Sequence, residues 1–255
     1  MIRFVEREKD KQKLLSLCEN KPFGCKIASI ATVYGFDKSF ACFWIDTEED
    51  VVYCLVDGAM LLSGTVIHGE AARAFLRMTG TSEVLCAVRN AEAMGLVPTD
   101  TGDVLKRVIQ PGDPPCPPPP VNIREIFTLL EENGMVEEFE PFYLDLSHKL
   151  RHHGALALTV PGGDGLKACG VVSSISESGA ILSALAAGRG SAPRWSGGSR
   201  VISRGKPFTC SGSRTKTENF IRPWVTPKWI PGFIPSCEEK VNERISLFSD
   251  CAQAA

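Results

Sequence analysis

The chain has 255 residues, enough for one large domain or two modest ones, and its 44% hydrophobic and 23% charged residues are ordinary for a folded globular protein. A net charge of −2 provides no basic field that would attract nucleic acid or an anionic membrane. The apolar stretches 155–160 and 180–187 are too short to span a bilayer, and the charged residues 1–13 lack a signal-peptide core. We therefore expect a cytoplasmic protein that binds neither nucleic acid nor membrane.

The chain contains 10 cysteines, but none forms a CxxC pair and none lies near a histidine at zinc-ligand spacing. Several lie inside apolar runs, where cysteine packs as a small hydrophobic residue. We interpret them as reduced thiols and expect no metal site.

The first 110 residues have the composition of an α+β unit. Apolar, β-branched and aromatic runs are separated by Gly35 and by the acidic turn at 46–50, which is typical of strands in a meander. In chain order we predict an amphipathic helix at 5–20, strands at 26–33, 40–45 and 51–62, a helix at 70–78, and a strand at 83–88.

Residues 111–120 read PGDPPCPPPP, a run that can be neither helix nor central strand because proline lacks the N–H and fixes φ. It favours a stiff polyproline II spacer between two folded segments. A ligand for a proline-recognition domain is the alternative.

After this spacer the pattern changes to two helices and a three-stranded antiparallel meander. Asn122 can cap the first helix, Glu125 completes a capping box, and Asn133-Gly134 ends it. We predict a second helix at 137–151 and strands at 155–160, 167–174 and 180–187, which are joined by glycine-rich turns.

The segment LKACGVVSSISESGAILSALAA at 166–187 is similar to the third and fourth strands of the GNAT family of N-acetyltransferases. The resemblance covers about residues 122–187. It implies a GNAT-like α+β fold, a mixed, mainly antiparallel sheet flanked by helices. It also suggests that the first segment is a smaller, degenerate copy without its own phosphate loop.

In this family the fourth strand runs into a loop of pattern (Q/R)-x-x-G-x-(G/A), whose backbone N–H groups bind the pyrophosphate of acetyl-CoA at a helix start. Residues 194–199, RWSGGS, align with this pattern, with serine in the last position. The resemblance therefore implies that acetyl-CoA contacts Leu185, Ala186, Ala187, Arg194, Gly197, Gly198, Ser199 and Arg200.

The family's fourth and fifth strands splay apart, and the thioester lies in the gap, where an amine attacks it directly in a ternary complex. A backbone N–H near residues 185–187 would polarise the carbonyl. The general acid is often a tyrosine in a helix opening N-x-x-F-Y. Here that position falls at Phe220-Ile221, so the catalytic acid is unknown, as is the base.

Residues 205–255 have no secondary-structure period, and so long an irregular stretch is unexpected in a compact domain. Joining the third base of each codon to the first two of the next over 204–229 permits GKTVYVFRE followed by an N-x-x-F-Y-x-A-L-G-Y signature. The same exercise over 187–198 permits an R-R-G-G-A-G loop. Our hypothesis is that the gene carries frameshifts in this region.

Several polar residues are weaker candidates. A histidine-rich helix end could supply a base or metal ligand, although a solvated end is the simpler interpretation. A turn glutamate could face the amine, and a strand serine could line the site, although turn and packing roles are simpler. These residues are His148, His152, His153, Glu177 and Ser183, while Glu140 and Asp145 are interpreted as solvated helix positions.

The sequence thus predicts a GNAT-like segment at 121–204, preceded by the α+β segment 1–110 and the spacer 111–120 and followed by the irregular tail 205–255. The function expected is acetyl transfer from acetyl-CoA to a small-molecule or peptide amine. The alternatives are a GNAT-like binding protein that has lost turnover, and a two-domain binding module whose spacer recruits a partner. The sequence leaves the acceptor and oligomeric state open.

Overall fold

The computed structural model describes residues 1–106, 121–163, 165–188 and 219–221. The first segment alternates helices with short strands. Its elements are β1 (Ile2–Phe4), α1 (Glu8–Cys18), α2 (Pro22–Tyr34), β2 (Ala41–Asp46), β3 (Val51–Val56), β4 (Ala59–Ser63), α3 (Gly69–Met78), β5 (Glu83–Leu85), α4 (Val88–Ala93) and β6 (Thr101–Asp103).

The second segment has the two helices and three strands that its sequence predicts. They are α5 (Ile123–Glu132), α6 (Phe139–Arg151), β7 (Leu156–Gly162), β8 (Gly165–Ser176) and β9 (Gly179–Ala187). Asn122 caps α5, because its Oδ1 accepts from the Arg124 amide at 3.1 Å while its Nδ2 donates to Glu125 at 2.7 Å. A last short strand, β10 (Asn219–Ile221), pairs antiparallel with β6.

The described strands form a five-stranded mixed sheet, a three-stranded antiparallel sheet and the two-stranded β6–β10 pair, so the predicted α+β class is confirmed. The five-stranded sheet has the order β1-β2-β3-β4-β5, in which only the β4–β5 pair is parallel. The three-stranded sheet has the order β7-β8-β9 and is antiparallel throughout. Within the ranges described, no helix has the length and apolar character needed to cross a membrane.

The strand predicted at 26–33 is wrong, since this stretch lies in α2. Pro22 occupies the first turn, where its missing N–H costs nothing, and nine of the 13 residues of the helix are buried. A helix buried on several sides has no polar face, so it lacks the period that distinguishes a helix from a strand. Its β-branched residues then favoured the wrong prediction.

Two other predicted strands differ in their bounds. The run 51–62 is a hairpin of β3 and β4 rather than one strand, because Asp57 and Gly58 adopt φ of 49° and 87° and form a tight turn. The run 83–88 ends as a strand at Leu85, and Val88 begins α4. The sequence analysis also missed the short strands β1 and β6.

Helix α2 lies between the two sheets, where it contacts β4 on one side and β8 and β9 on the other. Its inner residues Phe23, Ile27 and Ile30 join the core of the five-stranded sheet. A second core beneath α3 and α4 covers the opposite face of that sheet, and a third joins α5 and α6 to the three-stranded sheet. The fold is therefore a stack in which helices alternate with the two larger sheets, and α2 is the helix that lies between those sheets.

Candidate functional site

The predicted site begins at the end of β9, where one edge of the strand has no described partner. Ala186 lies opposite Cys169 and Ala187 opposite Ala168, and the Gly188 amide donates to the Lys167 carbonyl at 2.8 Å. Hydrogen-bonded pairs alternate along an antiparallel ladder, so the Ala186 N–H also faces β8. The N–H groups of Leu185 and Ala187 therefore point to the free edge.

The strand pair is irregular just before this edge. Val171 pairs with Ala184 and Val172 with Leu182, so Ser183 is an extra residue on β9. Ser173 is a second extra residue, on β8, because the next pair joins Ser174 and Ile181. Such bulges bend a strand, re-aim its backbone groups and are frequent beside active sites.

Of the described residues, those on the inward side of the same strand end belong to the core and offer no reactive group. Ala184 and Ala186 pack against α5 and α6, together with Cys169, which is fully buried. Burial raises the pKa of the Cys169 thiol to about 12, so the sulfur is a protonated packing atom at neutral pH. The edge consequently offers backbone donors and small side chains, without a nucleophile from this face.

The remaining predicted cofactor contacts, Arg194, Gly197, Gly198, Ser199 and Arg200, lie outside the described residues. Of the predicted set, the structure therefore positions Leu185, Ala186 and Ala187. Phe220-Ile221, where the family has a tyrosine-bearing helix, belongs instead to strand β10.

A polar cluster joins the two segments beside α2. The Tyr34 hydroxyl donates to Asp145 Oδ1 at 2.6 Å, and Asp145 Oδ2 pairs with Lys149 at 2.9 Å. His148 stacks on the Tyr34 ring at 4.6 Å, and its Nε2 lies 3.3 Å from the Val33 carbonyl. Asp145 and His148 are thus half-buried contact residues at a junction between the segments, and neither is fully solvated as predicted. Burial, with the neighbouring Asp145 charge, raises the pKa of Tyr34, so its hydroxyl stays protonated and donates to Asp145 near neutral pH.

The backbone of the loop that joins β4 to α3 donates hydrogen bonds to the carboxylate of Glu49. Glu49, whose side chain is only 4% exposed, accepts from the Ile67 amide at 2.8 Å and the His68 amide at 2.7 Å, and contacts His68 Nδ1 at 2.5 Å. Burial raises the pKa of Glu49, but these hydrogen bonds outweigh it and hold the pKa below its usual value. A carboxylate of the first segment itself therefore satisfies the backbone N–H groups at the start of α3.

The other weak candidates have simple roles. Glu177 is exposed in the β8–β9 turn, and His152 and His153 are exposed at the end of α6. Ser183 is 3% exposed and donates to the Val171 carbonyl at 3.2 Å, so it is a packed serine. Among the residues described, no group of three or more His, Cys, Asp or Glu side chains could hold a metal ion.

The sequence analysis missed two features of this region, the Glu49 contacts and the buried Ser29 hydroxyl of α2. Glu49 stands in an acidic turn 18 residues from its first partner, and nothing in the local pattern indicates the contact. Ser29 lies in the run that was predicted as a strand. No family model, curated protein or solved structure matches this chain.

Proposed function

We propose that the protein is a GNAT-type N-acyltransferase that transfers an acetyl group from acetyl-CoA to an amine. The order of elements in the first segment supports this. Two helices precede three antiparallel strands, and a helix leads to a fifth strand parallel to the fourth. This is the order that the family pattern has. The second segment repeats its first part, with two helices and a meander.

The observation that carries the proposal is the edge of β9 that no described strand covers. Its two outward N–H groups, from Leu185 and Ala187, stand directly after a bulge and in the strand that the resemblance assigns to the thioester. Backbone donors fixed by a sheet need no reorganisation to stabilise a developing oxyanion.

The reaction needs little else from the strand. The amine nitrogen donates its lone pair to the thioester carbon, and the carbonyl oxygen takes up negative charge near the free N–H groups. Collapse of the tetrahedral intermediate breaks the C–S bond, so the thiolate leaves. The amide nitrogen loses one proton and the thiolate gains one, which balances the reaction as amide plus CoA thiol.

One observation favours a second candidate, a GNAT-like protein that binds acyl-CoA without turnover. Phe220-Ile221 stands in β10, paired with β6 of the first segment, where the family pattern has the helix that carries the general acid. Resequencing the gene through codons 180–235 tests the frameshift hypothesis, under which this tail is not the natural one. Confirmation of the present frame, with homologues sharing the tail, would contradict that hypothesis.

The first test is calorimetric titration of the full chain with acetyl-CoA, followed by acetyl-transfer assays on a panel of amines. Saturable binding with transfer supports the enzyme, and binding without transfer supports the second candidate. A folded protein that neither binds acetyl-CoA nor is retained on CoA-agarose would contradict both and favour a binding module.

A pair of proline variants tests the role of the edge. Proline is tolerated at an edge where the N–H faces outward but not where the N–H joins the ladder. We expect Ala187→Pro to stay folded and to lose about 100-fold in acetyl transfer, the usual effect of removing an oxyanion donor. Ala186→Pro, the matched control, removes a ladder bond and should destabilise the sheet. Equal transfer by wild type and Ala187→Pro would refute the assigned role.

A further inference from the structure

The irregular centre of the β8–β9 pair is held from outside by the first segment. The Ile175 amide leaves the ladder and donates to the Ser29 hydroxyl on α2 at 3.3 Å. Ser29 is fully buried, although it belongs to a helix of the other segment. Nearby, the Cys25 thiol donates to the Gly179 carbonyl at 3.3 Å, so α2 contacts the start of β9 as well.

The two ends of the β8–β9 pair have different hydrogen-bonding phases. Counting back from the Gly188–Lys167 bond, the pair of Ala184 and Val171 is hydrogen-bonded. If the same alternation continued without interruption, the pair of Ile175 and Ala180 would also be hydrogen-bonded, but the Ile175 amide faces away from β9 and donates to Ser29. The hydrogen-bonding pattern therefore changes between the two ends of the strand pair. The two extra residues at the centre, Ser173 and Ser183, allow this change.

Two buried hydroxyls stand on either side of this centre. Ser183 donates to the Val171 carbonyl within the strand pair, and Ser29 accepts from the Ile175 amide across the layer boundary. Ser29 satisfies an amide that the irregularity removes from the ladder, and leaving such a group unpaired is costly. Ser183 adds a second donor to the carbonyl of the last hydrogen-bonded pair before the irregularity. The two hydroxyls therefore stabilise the hydrogen-bonding pattern in which the backbone N–H groups of Leu185 and Ala187 face outward.

We propose that Ser29 of the first segment is a positioning residue for the β9 edge, and that Ser183 is its counterpart within the strand pair. The catalytic part of this inference rests on the proposed function, because it assigns the outward N–H groups to the acyl carbonyl. The structural part does not depend on that function: a residue of the first segment sets the hydrogen-bonding pattern of the β8–β9 pair in the second segment.

The test is amide hydrogen exchange of the full chain, read by NMR at single residues, for wild type, Ser29→Ala and Ser183→Ala. Alanine is a better helix former than serine, so Ser29→Ala keeps α2 and removes only the acceptor. The control is Ser176→Ala, which removes a hydroxyl that donates to the Gly179 carbonyl in the exposed turn of the same strand pair. Kinetics with acetyl-CoA are measured on the same samples.

In wild type, Leu185 and Ala187 should exchange quickly and Ala186 slowly. We expect Ser29→Ala and Ser183→Ala to accelerate exchange at Ala184 and Ala186 about tenfold, with amides of β2 and β3 changed less than twofold. Ser176→Ala should leave β9 as in wild type. Where transfer is measurable, kcat should fall in both variants while KM for acetyl-CoA changes little.

Two results would overturn the proposal. One is exchange in β9 of Ser29→Ala within twofold of wild type, and the other is equal acceleration in β2, β3 and β9, which is general destabilisation. Absence of acetyl transfer from wild type, with the expected exchange pattern, would refute the proposed function and leave the positioning role supported.

Discussion

The two segments pack closely at Gly154, and this allows a sharp test of how they pack. A Cβ added there would lie 2.1 Å from Val33 Cγ2 on α2. Ordinary carbon contacts need about 3.5–4.0 Å, so one side must move by roughly 1.5 Å. Helix α2 cannot retreat freely because a sheet packs against its other side. We expect Gly154→Ala to lower the free energy of unfolding by about 2–3 kcal/mol.

The partner variant Val33→Ala should restore much of this loss. Alone it removes two methyl groups from a buried site and costs about 2 kcal/mol. In the double variant the new methyl group of residue 154 occupies the vacated space. The two effects should therefore fail to add by about 2 kcal/mol, in the stabilising direction.

The assay is urea unfolding at constant m value for both single variants and the double variant. Gly163→Ala is the matched glycine control, since an added Cβ there meets nothing within 4 Å, and it should stay within about 0.5 kcal/mol of wild type. The close packing of α6 and β7 on α2 would be refuted if Gly154→Ala were as stable as wild type. It would also be refuted if the free-energy changes of the two single variants simply added in the double variant.

Two further predictions concern the buried polar contacts. Glu49→Gln should lose about 2 kcal/mol at pH 7, since two backbone amides lose a charged acceptor. Because the pKa of Glu49 is lowered by folding, its contribution is complete above the unfolded value of about 4.3 and is lost as pH falls below it. The free energies of unfolding of the two proteins, measured in urea at several pH values, should therefore converge as pH falls further below this value, and a constant difference would contradict the assignment. Tyr34→Phe should cost about 1 kcal/mol through its lost bond to Asp145, whereas Tyr143→Phe, an exposed control, should cost almost nothing in thermal unfolding. Equal effects of the two tyrosine variants would show that the Asp145 bond contributes nothing.

The second segment was largely predictable because its helices carry their signals locally. Asn122 and Glu125 sit at the helix start, and the apolar face of α5 recurs at helical spacing, so no distant contact was needed. The meander followed from its glycine turns. The strand end at Leu185 was also placed, since an apolar run bounded by turns indicates a buried strand.

The rest depended on contacts between distant parts of the chain. Ile27 and Ile30 were assigned to a strand because α2 is buried on two sides, and only the second sheet supplies its other side. Asp145 reads as a polar helix position until Tyr34 is brought beside it. The bulge at Ser183 could not be predicted from the sequence. Each of the two strands contains one extra residue, and the apolar pattern of each strand still looks like that of a regular strand.

The shared position of α2 has a consequence for how the protein is made. The helix leaves the ribosome early, but its second sheet is complete only after residue 187 is synthesised. During that interval one side of the helix has no sheet to cover it, and exposed apolar surface of this kind invites association with other chains. A fragment that begins at residue 121 would have the opposite defect, with β8 and β9 made but no α2 to receive them. Expression yield should therefore depend on keeping both segments in one chain and on chaperones that protect the incomplete nascent protein.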